Sequence, residues 1–237
     1  MAQKKLIRFA EIKSFPNVLE HPGDMKNNWA SYFKNTNPIT LELACGKGEY
    51  AVGLGRLHPA KNFIGIDIKG NRIWKGAKTA LTEKLHNVAF LRIEIDKINE
   101  YFGENEVNEI WITFPDPQLR LSKAKKRLTH PKFLRLYQQI LSNEGTINLK
   151  TDSPDLYLFT KTVINLFQLE LLLDSDNIYA MQEVSKELQI KTHYERLDIA
   201  KSNKVHYLKF RLNTILPKEK DEILKQLISE REINSTG

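Results

Sequence analysis

Four acids stand where a carboxylate could do chemistry. Glu42 and Asp67 close two apolar runs, Asp116 sits between two prolines, and Asp152 precedes Ser153-Pro154. Gly46 and Gly48 follow the first of them. Glycine lets a backbone turn tightly and approach a ligand closely. Asp67, 25 residues beyond Glu42, could accept hydrogen bonds from both hydroxyls of a ribose. The residues Gly46-Lys-Gly-Glu-Tyr-Ala51 also fit the G-x-G-x-x-A fingerprint of a dinucleotide site, so a nicotinamide dehydrogenase is a competitor. Glu42, however, would face a pyrophosphate with the wrong sign and would suit the ammonium of S-adenosylmethionine. We therefore expect S-adenosylmethionine, with a dinucleotide or a purely structural glycine turn as alternatives. Cys45 reads as a small residue in that turn. After a third apolar run, Glu94 or Asp96 could accept from an adenine amino group. A helix cap before Ile98 would explain either acid as well, and Asp96 is the one carried forward.

Charge adds a second signal. From Gln118 to Arg135 stand Arg120, Lys123, Lys125, Lys126, Arg127, Lys132 and Arg135 with no acid among them, and these seven charges equal the formal excess of +7 for the chain. Localised basic charge points to an anionic partner, a nucleic acid or phosphate, although a solvated lysine-rich loop would look the same. The single cysteine excludes a disulfide framework and a multi-cysteine zinc site. The six histidines form no i, i+4 ligand pair, and no nucleophile elbow serves a serine triad. No metal is expected. No apolar run approaches the roughly 20 residues of a spanning helix, and no signal peptide is visible at the start. A reducing, cytoplasmic setting without membrane contact is the expectation.

These groups need elements to hold them. Residues 39–43 alternate at period two, 62–67 and 88–93 are short apolar runs, and 107–114 is rich in β-branched and aromatic residues, all read as strands. Residues 146–150 make a fifth strand and 205–212 a late one, antiparallel in character. Between them lie helical patterns. One has Ile73, Trp74, Ala77, Leu81 and Leu85 on one face; another starts at Pro131. Ser153-Pro154-Asp155 is a strong helix start. Its apolar face is Leu156, Phe159, Thr160, Val163, Ile164 and Phe167. Segment 168–191 is ambiguous. Alternating β and α elements predict an α/β fold with a mostly parallel central sheet and helices on both faces. Ligands in such sheets bind beyond the carboxyl ends of the strands, where the four acids fall. The expected division is an irregular N-terminal extension over 1–38, a catalytic domain over 39–215 and a tail over 216–237 that mixes Lys and Glu evenly.

Phe114-Pro-Asp-Pro117 and the basic loop ending in Lys125-Lys-Arg127-Leu128, with Gly65-Ile-Asp67, Lys150-Thr-Asp152 and Thr192-His-Tyr-Glu195, resemble the bacterial tRNA (guanine-N7-)-methyltransferase family. The resemblance runs from Leu41 to about Leu212. It implies a class I (Rossmann-like) methyltransferase fold, S-adenosylmethionine as donor and a guanine in the tRNA variable loop as acceptor, giving 7-methylguanosine. Carried over by position, Glu42, Asp67 and Asp116 match cofactor-binding residues, and Asp116 also matches the residue treated as catalytic. Asp96 stands one position off the family's third-strand acid. Arg120 takes the place of a substrate-contacting lysine. Ser122, Lys123, Ala124, Lys125, Lys126 and Arg127 match the RNA-contacting loop. Asp152, Thr192, His193, Tyr194 and Glu195 match substrate-binding positions. Gln118 replaces the usual tryptophan, and Ser202 stands near a frequent glycine. Asp116 and Asp152, and Glu195 from the opposite loop, could accept from the N1–H and amino donors of guanine. Trp111 and Phe114 are expected in the core rather than as stacking platforms. No obligate protein partner is inferred.

Overall fold

The computed structural model describes residues 2–197 and 203–235. The chain runs α1 (Ala2–Ile12), β1 (Val18–Glu20), α2 (Trp29–Phe33), β2 (Ile39–Leu43), α3 (Glu49–Leu57), β3 (Asn62–Ile66), α4 (Gly70–Thr82) and β4 (Val88–Arg92). It continues with β5 (Val107–Thr113), α5 (Pro131–Gln138), β6 (Leu141–Thr151), α6 (Pro154–Phe167), β7 (Glu170–Ser175), α7 (His193–Leu197), β8 (His206–Arg211) and α8 (Lys220–Ser235). One eight-stranded sheet has the order β1-β4-β3-β2-β5-β6-β8-β7. The strands pair in parallel as far as β6, and β8 inserts antiparallel between β6 and β7.

Chain order reverses between β2 and β5, which pair directly with Glu42 opposite Trp111. Their carboxyl ends open the crevice in which ligands of such sheets bind. Period-two alternation divides the strands between two cores. Leu41, Leu43, Ile110 and Ile112 pack with α2, α5, α6 and Leu224 of α8 on one face. Phe63, Phe90, Trp111 and Tyr207 pack with α3 and α4 on the other. Ser153 Oγ caps α6 by accepting from Leu156 N, and the six residues of its expected apolar face are all buried.

The structure departs from the sequence reading in four places. The first 38 residues are not irregular: α1 lies on α4, and β1 is the sheet's edge strand beside β4. The ambiguous 168–191 segment supplies β7. The tail forms α8, fixed by Arg135, which donates to Asp221 at 2.6 and 3.0 Å. On α4, Leu81 is exposed, and the buried positions are Gly70, Ile73, Gly76, Ala77 and Ala80.

Candidate active site

Glu42 is buried at the end of β2. One carboxylate oxygen accepts from Ala51 N at 2.8 Å, an amide in the first turn of α3, and the other from Thr113 Oγ1 at 3.2 Å. First-turn amides have no partner within their own helix, so Glu42 joins β2, β5 and α3. No cation among the described residues pairs with it, and burial pushes its carboxyl up to about 8. A buried carboxylate in this condition fits an arriving ammonium. Gly46 and Gly48 both hold left-handed backbone, at φ 55° and 68°. A Cβ on Gly48 would lie 2.3 Å from Phe90, whereas one on Gly46 would meet only Tyr194, at 3.9 Å. Gly46 is therefore the glycine that leaves room beside the crevice. Asp67, also buried, accepts from Gly46 N at 2.9 Å and from Lys69 N at 2.8 Å. It thus ties the glycine turn to the end of β3, with lone pairs left over for hydroxyl donors. The Cys45 thiol is buried in the same turn and pushed up by that burial.

Asp116 is exposed and accepts from Gln118 N at 3.0 Å, an Asx turn, and Gln118 itself holds left-handed backbone. The basic loop that follows divides by function. Arg120, Lys123, Lys125 and Lys126 are exposed, as is Ser122, while Ala124 is buried. Arg127, expected to grip RNA, is instead buried. Its guanidinium donates to the carbonyls of Pro117, Gln118 and Leu119 at 3.1–3.3 Å and lies 4.6 Å from the Phe159 ring centroid. It holds the loop from inside. Lys132 pairs with Asp96, and Arg135 with Asp221, so two further charges of the basic window are internally compensated. Asp96, expected near the adenine, has a half-exposed carboxylate paired with Lys132. Glu94 is likewise exposed, 3.8 Å from Lys97.

Beside the Phe114-to-Pro117 turn lies a cavity of about 390 Å³ lined by Phe114, Asp152, Tyr179, Lys191, Glu195, Asn203, Lys204 and Val205. Trp111 is buried as expected, but Phe114 is half-buried and forms part of the cavity wall. Asp152 is half-buried at the end of β6. The Glu195 side of the cavity is anchored by Lys150, which figures in the sequence reading only within Lys150-Thr-Asp152, with no role of its own. Its ammonium is buried and donates to Leu188 O at 2.9 Å, Ile190 O at 3.0 Å and Glu195 Oε2 at 2.9 Å. Side-chain exposure in this ion pair is 0% and 2%. Tyr179 donates to the other Glu195 oxygen at 2.5 Å. Thr192 and Glu195 form a reciprocal capping box around α7, at 3.1 and 3.4 Å. Thr192 is thereby buried and structural, while the half-buried His193 and Tyr194 rings meet edge to face. Ser202 lies outside the described residues.

Similarity to known proteins decides among the nucleotide readings. The sequence family described as "Putative methyltransferase" matches residues 36–208. A tRNA (guanine-N(7)-)-methyltransferase of Bacteroides thetaiotaomicron is 44% identical over 221 residues, covering 90% of this chain and 87% of the relative. That of Porphyromonas gingivalis is 45% identical over 213 residues, covering 85% and 86%. The chain belongs to the tRNA (guanine-N7-)-methyltransferase family. Among solved structures, a 30S ribosomal A1408 methyltransferase from an uncultured bacterium superposes with a TM-score of 0.56 at 17% identity, covering 78% of this chain and 92% of that one. That likeness supports the class I methyltransferase fold. Glu42 and Asp67 lie at the carboxyl ends of β2 and β3, the end of such a sheet at which ligands bind. The cavity walled by Phe114 and Asp152 adjoins the turn that bears Asp116.

Proposed function

We propose that this tRNA (guanine-N7-)-methyltransferase takes its guanine from the tRNA variable loop and seats it in the Phe114–Asp152 cavity, between Asp116 and the cofactor crevice. The observation that supports this reading most is the buried Glu42 carboxyl, without a cation among the described residues and bonded to Thr113 at the end of the strand that leads into Phe114 of the cavity wall. S-adenosylmethionine, when bound, supplies an electrophilic methyl group on a sulfonium. Glu42 would hold its ammonium and Asp67 its ribose hydroxyls. Guanine N7 already carries a lone pair, so no residue has to remove a proton, and catalysis is positioning. Asp116 and Asp152 would accept from the N1–H and amino donors, turning N7 towards the methyl group. They would also offset the positive charge that develops on the base. Glu195 has both oxygens committed to Lys150 and Tyr179, so it shapes the cavity wall. Base access to N7 requires splaying the nucleotide out of its stack, as enzymes acting on bases do.

The test is transfer of labelled methyl to unmodified tRNA with nucleoside analysis. The expected product is 7-methylguanosine at one variable-loop guanine. Asp116→Ala should lose ~100-fold in kcat, the order expected from misplacing reacting atoms, while tRNA Kd stays within a few-fold. Full activity in that variant would remove Asp116 from its role.

Cofactor binding has a pH signature. Glu42, held up at about 8 by burial, must release its proton when an ammonium binds beside it. Affinity for S-adenosylmethionine should therefore rise with pH, by up to about tenfold per unit, between roughly pH 6 and 7.5, below the ~7.7–8.0 of an α-amino group. Because the folded carboxyl is raised, the ligand-free protein should lose stability as pH climbs from 4.5 towards 8, and saturating cofactor should reverse that loss. Glu42→Gln should flatten both profiles; unchanged slopes would show that Glu42 does not meet the ammonium.

A further inference from the structure

A groove of about 750 Å³ runs between α3, α4 and the segment before α7. Lys47, Lys75, Lys186, Lys191 and Arg196 line it, with Glu49 opposing them; a sixth lining cation, Arg56, is paired with Glu83. Among the described residues none of these five cations is in an ion pair. Lys75, Lys186, Lys191 and Arg196 are exposed. Converging uncompensated cations in a groove raise the local concentration of a polyanion.

Two observations connect this groove to the reaction. Lys191 lines both the groove and the cavity assigned above to the base, and its ammonium lies 5.2 Å from the Tyr179 ring. The groove also lies on the α3–α4 face of the sheet, whereas the 121–125 stretch of the basic loop abuts α8 on the other face. A nucleotide drawn into a cavity brings phosphates on both sides of its base. The basic loop serves one side, and the groove has the charge and position to serve the other.

We infer that this groove is a second tRNA backbone surface, so that the RNA straddles the carboxyl end of the sheet with its target base between two basic lips. The inference rests on the tRNA reading above. Its test is the double variant Lys75→Gln, Lys186→Gln, assayed for tRNA affinity across a salt series, for methyl-transfer kinetics and for S-adenosylmethionine affinity. The expected result is a KM for tRNA raised about tenfold, cofactor Kd within twofold, and a log–log salt slope shallower by roughly 1.4–1.8, the counterion release of two phosphate contacts. In the wild-type protein, bound tRNA should shield Lys75 and Lys186 from an amine-acylating reagent, a readout independent of how the variant folds. Unchanged KM and slope with both lysines still labelled would overturn the inference. So would a loss confined to cofactor affinity, because the groove would then be a wall of the cofactor site. If the wild-type protein made no 7-methylguanosine at all, the tRNA reading itself would fall, and this inference with it.

Discussion

Two loops flank the candidate base cavity, and each is fixed by a buried cation that donates to backbone carbonyls. After β5, Arg127 reaches back to the carbonyls of Pro117, Gln118 and Leu119 within its own loop. Before β8, Lys150 comes from a different element, the end of β6, and holds the carbonyls of Leu188 and Ile190. The chemistry matches the reach. A planar guanidinium with five donors can fork among several closely spaced carbonyls, whereas an ammonium is a compact point with three. The two loops also differ in how charge is handled. Lys150 has a buried carboxylate partner, and its ammonium is held below its ordinary value chiefly by burial. The first loop is thus shaped mostly by its own residues. The second is shaped only once the sheet has formed, and its stability depends on one buried proton balance.

Breaking the long-range anchor should have the largest effect. Lys150→Met leaves the Glu195 carboxylate buried without its cation, a change that costs about 3–5 kcal/mol when one partner of a buried pair is removed. Lys150→Met with Glu195→Gln should recover most of that stability in chemical denaturation. It should not recover tRNA KM, because the carbonyls of Leu188 and Ile190 remain without their donor. Cofactor affinity should stay near wild type in the double variant. If the double variant regained full activity, Lys150 would be a stability element and not a positioning residue.

Breaking the local anchor should cost less. Arg127→Ala removes charged donors worth about 1.5–3 kcal/mol. The outward lysines keep their charge, but the loop that presents them loses its internal support. Arg127→Lys should recover little, because an ammonium cannot reproduce the fork over Pro117, Gln118 and Leu119. The expected readout is a raised tRNA KM with an unchanged salt slope, which separates loop positioning from phosphate contact. A slope reduced as much as in Lys125→Gln would return Arg127 to the phosphate-binding set.

The same contrast explains what was legible in the sequence. The strands, the Ser153 cap and the placement of Glu42 and Asp67 at strand ends follow from local periodicity and from residue types that leave few alternatives. β1 escaped because its three residues between Pro16 and Pro22 are too few to show a period. Charge counting treated Arg127 as one more cation, since composition cannot distinguish a guanidinium turned inward from one facing water. Lys150 was hidden for a related reason: a lysine closing a strand reads as solvated, and its burial depends on a loop some 40 residues onward. Thr192-x-x-Glu195 did carry a readable local signal. It is the capping-box pattern, and the helix it starts was too short to attract notice.

That box supplies the smallest test of the comparison. Thr192→Ala deletes the hydroxyl that accepts from Glu195 N at 3.1 Å, a loss of about 1 kcal/mol for a cap residue. If the loop before β8 is held mainly from outside, by Lys150, the loss should appear as a modest fall in midpoint denaturant concentration. Methyl transfer at saturating tRNA should then stay within about twofold, since 1 kcal/mol of local fraying still leaves a tethered segment mostly folded. A collapse of kcat instead would mean that the cap and not the lysine fixes Tyr194 over Gly46. The second loop would then, like the first, be organised by its own residues.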